Sequence, residues 1–172
     1  MNARLAGCAA ALLLAGCAVV PAPLPELSGV PAAFELSGRL AVRQADRSEI
    51  ARLRWTHRQG ADLWIVASPL GNEVARIESD GGGARLIQAG GEARTAPSFA
   101  ALTHALLGVA LEPALLAAWL HGGAPGDAPS GWSVTVDEKQ PAGAIEIARR
   151  ISATRGDVVV RLVVDEYRAL AE

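Results

Sequence analysis

A chain of 172 residues, 51% of them apolar, is long enough to bury one core and leaves little room for a second domain. Its 16 basic and 18 acidic residues give a net charge of −2, so no basic excess marks it for nucleic acid. Aromatic residues make up only 4%, yet four of them are Trp, so the positions of Trp55, Trp64, Trp119 and Trp132 carry weight.

Residues 1–16 have a basic start at Arg4, an apolar Ala/Leu run and small residues before a cysteine, the layout of a secretory leader that stays outside the fold. The boundary Leu14-Ala15-Gly16-Cys17 resembles the lipobox of bacterial lipoproteins, whose cysteine thiol is acylated and becomes the mature N-terminus. Leu5-Ala6-Gly7-Cys8 repeats the tetrad without an apolar segment before it, which leaves Cys17 as the lipidation candidate. An ordinary leader with an incidental cysteine and an uncleaved anchor are the alternatives. The apolar run is shorter than the roughly 20 residues a spanning helix needs. On the lipoprotein pattern, Ala18 in place of aspartate after Cys17 implies sorting to the outer membrane. With Cys8 removed and Cys17 acylated, no internal disulfide is expected. The mature chain keeps about 156 residues and, without Arg4, a net charge of about −3.

Ala18 to Ala33 contains Pro21, Pro23, Pro25 and Pro31 among small residues and reads as an extended tether. The expected organisation is therefore a leader over 1–16, a lipidated tether over 17–33 and one domain over 34–172. Phe34 to Gln44 alternates as a strand, with Leu36, Leu40 and Val42 on one face and Gly38 as a bend or bulge on it. A polar turn at Ala45 to Ser48 leads to Ile50 to His57. There Ala51, Leu53 and Trp55 share one face and Arg52, Arg54 and Thr56 the other.

Asp62 to Gly71 is a strand apolar on both faces, Leu63, Ile65 and Ala67 on one and Trp64 and Val66 on the other. Pro69 and Gly71 then force a turn with Leu70 at its tip. A leucine there either packs back under the loop or enters something apolar. Asn72 to Glu78, Ala84 to Gln88 and Glu92 to Thr95 continue as hairpins, turned at Asp80-Gly81-Gly82-Gly83 and Gly90-Gly91. The triple glycine lacks the Lys-Ser/Thr ending of a phosphate cradle and reads as turn chemistry.

At Ser98, a plausible N-cap, the apolar period lengthens. Phe99, Leu102, Leu106 and Leu107 form one face of a helix that Gly108 closes. A second helix starts near Pro113, carries Leu115, Leu116, Trp119 and Leu120, and stops at Gly122-Gly123. After a Gly/Pro/Ala loop, strands return at Trp132 to Val136, Ala144 to Ile151 and Asp157 to Val164. The fold class is α+β, mainly β: six or so strands, two helices, then three strands. Such a meander curls into an incomplete antiparallel barrel, and the helix pair can cover its open side over an apolar cavity.

Gly38-Arg39-Leu40-Ala41-Val42, Trp55, Asp62 to Gly71 with its Ser68-Pro69-Leu70-Gly71 turn, Leu115, Trp119 and Gly131-Trp132 together resemble the LolB family of outer-membrane lipoproteins. The likeness covers most of the chain from Phe34 onward. It departs before Trp132, where the family usually has another strand and this chain has a short Gly/Pro loop. The resemblance implies an incomplete barrel lidded by helices, whose cavity takes the acyl chains of lipoproteins from the periplasmic carrier LolA without using a nucleotide. It also implies that Leu70 engages the inner leaflet of the outer membrane during release. Leu53, Trp55, Ile65, Leu102, Leu106 and Trp119 are then the candidates for the cavity wall, the alternative being a solid core. Arg39, Arg52 and Arg54 read as solvated strand residues, with docking of an acidic carrier as the other possibility.

His57, His104 and His121 lack metal-ligand spacing, and no lipase-type Gly-x-Ser-x-Gly or rigid carboxylate pair is present. The expectation is a monomer that is not an enzyme and uses no cofactor or metal. Two readings from other classes compete with the lipoprotein acceptor. One is a tethered assembly lipoprotein that binds a protein at a sheet edge, and the other is a lipocalin-like binder of free lipid.

Overall fold

The computed structural model describes residues 31–107, 109–123, 126–127 and 131–170. The expected leader, Cys17 and nearly all of the tether lie outside the described residues. In chain order the elements are β1 (Phe34–Gln44), β2 (Arg47–Arg58), β3 (Ala61–Ala67), β4 (Glu73–Asp80), β5 (Gly83–Gln88), β6 (Ala93–Ala96), α1 (Phe99–Leu107), α2 (Pro113–Leu120), β7 (Gly126–Asp127), β8 (Ser133–Ala142), β9 (Ile145–Arg155) and β10 (Val158–Ala169). The strands form one antiparallel sheet in the order β6-β5-β4-β3-β2-β1-β10-β9-β8-β7. Among the described residues β6 and β7 do not pair with each other, so the curl stays open as an incomplete barrel.

Alternation decides which face is buried. On β1, Phe34, Leu36, Leu40 and Val42 point into the core, while Arg39 and Arg43 point to solvent. The register carries this face across the sheet: Leu36 lies opposite Trp55 of β2, and Trp55 opposite Trp64 of β3. On the other side Leu40 and Val42 lie opposite Leu162 and Val160 of β10. Burial of this apolar face is the main stabilising term, at about 25 cal/mol per Å².

The β1–β10 ladder slips between Ser37 and Gly38. A Cβ at Gly38 would stand 2.2 Å from the carbonyl oxygen of Val163, so glycine alone permits this approach of the two strands.

Ser98 caps α1 by accepting a hydrogen bond from the Ala101 N–H at 3.1 Å, and Pro113 opens α2. Helix α1 packs against β5 and β6, and α2 against β9, so the two helices cover opposite wings of one sheet face.

Two expectations about the C-terminal strands change. β8 and β10 run on to Ala142 and Ala169, well past Val136 and Val164. Their polar ends are held in part by side-chain contacts: Asp165 pairs with Arg39, Glu138 with Arg149, and Asp137 accepts a hydrogen bond from Ser152 Oγ. The loop before Trp132 also contributes a strand after all. Gly126 and Asp127 form the two-residue β7 against Val134 and Ser133.

Candidate functional site

The covered face of the sheet is a continuous aromatic and aliphatic layer. Phe34 meets Trp55 edge-on at 4.9 Å, Trp55 reaches Trp64 at 5.5 Å, and Trp64 meets Phe99 of α1 at 4.8 Å. Across the sheet Trp119 of α2 meets Trp132 edge-on at 5.7 Å. Aromatic contacts thus join the helices to the sheet side at both wings.

Leu53, Trp55, Leu102 and Trp119 are buried in this layer. They belong to one cluster of buried side chains between sheet and helices. The clefts of about 610 and 660 Å³ open on the far face and rim of the sheet, and the second reaches Leu53.

Ile65 is not on the covered face. It lies opposite Arg54 and Arg76 on the far side and lines the 660 Å³ cleft, because Trp64 and Val66 take the inward positions of β3. Leu106 is 37% exposed near the end of α1, while Leu102 one turn earlier is buried. Trp64, absent from the expected wall, is the residue that takes the place assigned to Ile65. The alternation that placed it opposite Ile65 was the available signal.

Among the described residues three buried polar atoms have no hydrogen-bond partner: Nε1 of Trp64, Nε1 of Trp119 and Oγ of Ser68. Two of them are indole donors inside the layer, one from the sheet and one from the lid.

Around Phe34 the layer has a polar border. Asp62 Oδ1 accepts a hydrogen bond from Trp55 Nε1 at 2.7 Å and faces His57 Nδ1 at 2.8 Å. His57 and His121 both lie against the Phe34 ring, at 4.9 and 5.2 Å. His121 Nδ1 donates to the Ala117 carbonyl at 2.7 Å, which leaves Nε2 to accept from the Tyr167 hydroxyl at 2.8 Å. Burial lowers the His121 pKa, opposed by its bond to Ala117 and assisted by nearby His57. Burial also pushes the Tyr167 hydroxyl up to about 12. Among the described residues no group of three or more His, Cys, Asp or Glu could hold a metal ion.

The Leu70 tip is well built. The Gly71 N–H donates to the Ser68 carbonyl and the Ser68 N–H to the Asn72 carbonyl, both at 2.8 Å, and Gly71 has a φ of +93° that favours glycine. Leu70 itself is 90% exposed, so it does not pack back under the loop.

The family model "Outer membrane lipoprotein LolB" matches residues 32–130. The chain is 30% identical to the outer-membrane lipoprotein LolB of Azoarcus sp. (strain BH72), over 95% of this chain and 93% of that protein. It is 35% identical to LolB of Thiobacillus denitrificans, over 91% and 92%, and 33% identical to LolB of Chromobacterium violaceum, over 92% and 94%. Among solved structures, a DUF1329 family protein from Desulfovibrio piger shares the fold at 6% identity, with a TM-score of 0.56 over 82% of this chain and 87% of that one. With its open antiparallel sheet and two short helices, the chain belongs to the LolB family of outer-membrane lipoproteins.

Proposed function

We propose that this chain accepts acylated lipoproteins from the carrier LolA between its sheet and helices and places them in the outer membrane, as a non-enzymatic acceptor without cofactor. Family membership carries the coarser part, a role in localising lipoproteins at the outer membrane. The observation that supports the finer reading is the covered apolar layer itself. It spans Trp55 and Trp64 of the sheet and Leu102 and Trp119 of the helices, and leaves two indole N–H donors without a partner among the described residues.

The chain's own side chains occupy the layer, and acyl chains enter as α1 and α2 lift from their wings. Each methylene that moves from water into the layer contributes about 0.8 kcal/mol, so transfer runs down a difference of affinities and needs no nucleotide. The unpartnered Trp64 and Trp119 donors offer hydrogen bonds that a cargo carbonyl can accept on entry. Cys17 anchors the domain through its acyl groups, Ala18 to Ala33 tethers it, and Leu70 enters the inner leaflet when cargo is released. The protein acts as a monomer.

The test is transfer of an acylated lipoprotein from purified LolA to the tagged chain without nucleotide, followed by pull-down. Cargo that moves to the chain supports the acceptor reading. A folded chain that takes no cargo overturns it in favour of an assembly lipoprotein that binds a protein partner.

A further inference from the structure

We propose that the outer face of the sheet beside the Leu70 turn binds the phosphate of anionic phospholipid headgroups, with Arg52 at its centre and Arg39 and Arg54 at its sides. The proposal builds on the reading of Leu70 as a membrane-entering residue.

The register brings these side chains together. Arg39 of β1 lies directly opposite Arg52 of β2, and Arg52 opposite Ala67, the last residue of β3 before the turn. Arg54 lies two residues along the same face, opposite Ser37 and Ile65. Like charges directly opposite on neighbouring strands are destabilising, and all three arginines are exposed, so the core does not require them.

Their acidic neighbours are already taken. Together with Ile65, Ala67, Gly71, Glu73 and Asp165, the three arginines line the cleft of about 660 Å³. Asp165 pairs with Arg39 at 2.9 Å, and Glu73 with Arg76 at 3.2 Å. Arg52 and Arg54 have no ion pair among the described residues. Arg54 also borders a second cleft with Glu166, whose carboxylate accepts from Ser37 Oγ at 3.4 Å. Arg52 has no such competitor and is the stronger binder. Farther along this face Arg43 and Arg161 extend the positive field, also without an ion pair among the described residues.

The same end of the sheet carries an apolar tip. Leu70, Ile50 and Val74 are 90%, 62% and 41% exposed, three of the four exposed large apolar side chains among the described residues. Ile50 is two residues beyond Arg52 on the same face of β2, and Val74 is the extra residue of the bulge opposite Ala67. The cleft reaches Gly71, next to Leu70. An apolar tip edged by guanidinium groups fits a bilayer surface: leucine and isoleucine enter the acyl boundary while the arginine forks bind phosphate oxygens. A soluble acidic carrier would leave the apolar tip without a use.

The full chain carrying Cys17→Ala, and so lacking an acyl anchor, is floated with phosphatidylcholine vesicles and with vesicles that include phosphatidylglycerol. Attachment is expected to favour the anionic vesicles and to fall as salt rises, with about five-fold lost per arginine in Arg52→Gln and Arg54→Gln. Arg52→Lys is expected to keep part of the preference, and circular dichroism checks that each variant is folded. Absence of an anionic preference, or its survival in the double glutamine variant, overturns the proposal. Inorganic phosphate that strips the chain from vesicles at matched ionic strength overturns it in favour of a free-phosphate site. A double variant that attaches normally but no longer receives cargo overturns it in favour of an acidic carrier. In the same assay Leu70→Glu is expected to weaken attachment to both vesicle types. If it does not, the Leu70 reading fails while the headgroup site stands on its own result.

Discussion

The ring of His121, just past α2, and the hydroxyl of Tyr167 on β10 are joined by a 2.8 Å hydrogen bond that ties the lid to the sheet. Burial holds the His121 pKa below its ordinary value of 6.5, so the unfolded chain binds the extra proton first. Stability therefore rises with pH across the window between the lowered value and 6.5, and is lost as pH falls through it. Urea unfolding between about pH 5 and 7.5 is expected to show this slope, and His121→Gln to flatten it. Tyr167→Phe leaves Nε2 without its donor and is expected to cost about 1 kcal/mol at neutral pH.

Asp62 holds two inward side chains at once, the Trp55 indole and the His57 imidazole. Asp62→Ala is expected to cost about 2–3 kcal/mol, because it strands both in a half-buried place. Asp62→Asn keeps one acceptor and is expected to cost less. Chemical unfolding of the two variants beside the native chain reads the difference.

Gly38→Ala forces a methyl group against the Val163 carbonyl at the β1–β10 slip. The expected loss is about 2–3 kcal/mol by thermal or urea unfolding. Gly60→Ala makes a control, since a Cβ there meets nothing within 4 Å and only its φ of +76° resists the change.

Leu70→Glu removes no packing, and its effect on folding stability is expected to stay within about 0.5 kcal/mol. Acceptance of cargo from the carrier is expected to persist, while delivery to vesicles falls. A variant that accepts and delivers normally would show that Leu70 has no part in release.

Arg52→Gln relieves the opposition of two like charges across β1 and β2. It is expected to raise stability by about 0.2–1 kcal/mol at low salt, less at high salt. A gain in thermal midpoint together with a loss in vesicle attachment would identify Arg52 as a residue kept for a surface rather than for the fold.

Most of the meander was legible in the chain because β1 and β2 carry most of their large apolar side chains on one face, with Ile50 the exception. β3 does not, being apolar on both faces, and its inward side depends on register with Arg54 and Arg76, which are distant in sequence. That is why Ile65 and Trp64 exchange places between the expected and observed walls. Leu106 misleads for a related reason: α1 is rich in Ala and Leu around much of its circumference, so periodicity leaves its inward stripe poorly defined. The two residues of β7 and the polar half of β8 are stabilised by backbone ladders, which leave no hydrophobic period to read. Asp62 gave no warning of its two partners, since its role arises only when the β2–β3 hairpin closes.

Phe34 and the Leu70 turn stand at opposite ends of the central ladder: Phe34 is level with His57 and Asp62, and the turn begins level with Arg39. The entry point of the chain thus faces away from the tip that is proposed to touch the bilayer, by about 17 Å of strand plus the turn. If Cys17 carries the anchor, as proposed, the domain must invert on its leash to present Leu70. Ala18 to Ala33 supplies sixteen residues, about 50 Å if fully extended in polyproline geometry, which is enough to double back along the sheet with length to spare. On that proposal leash length becomes a working part: cutting it to a few residues would hold the anchored end down and turn the Leu70 end into the periplasm.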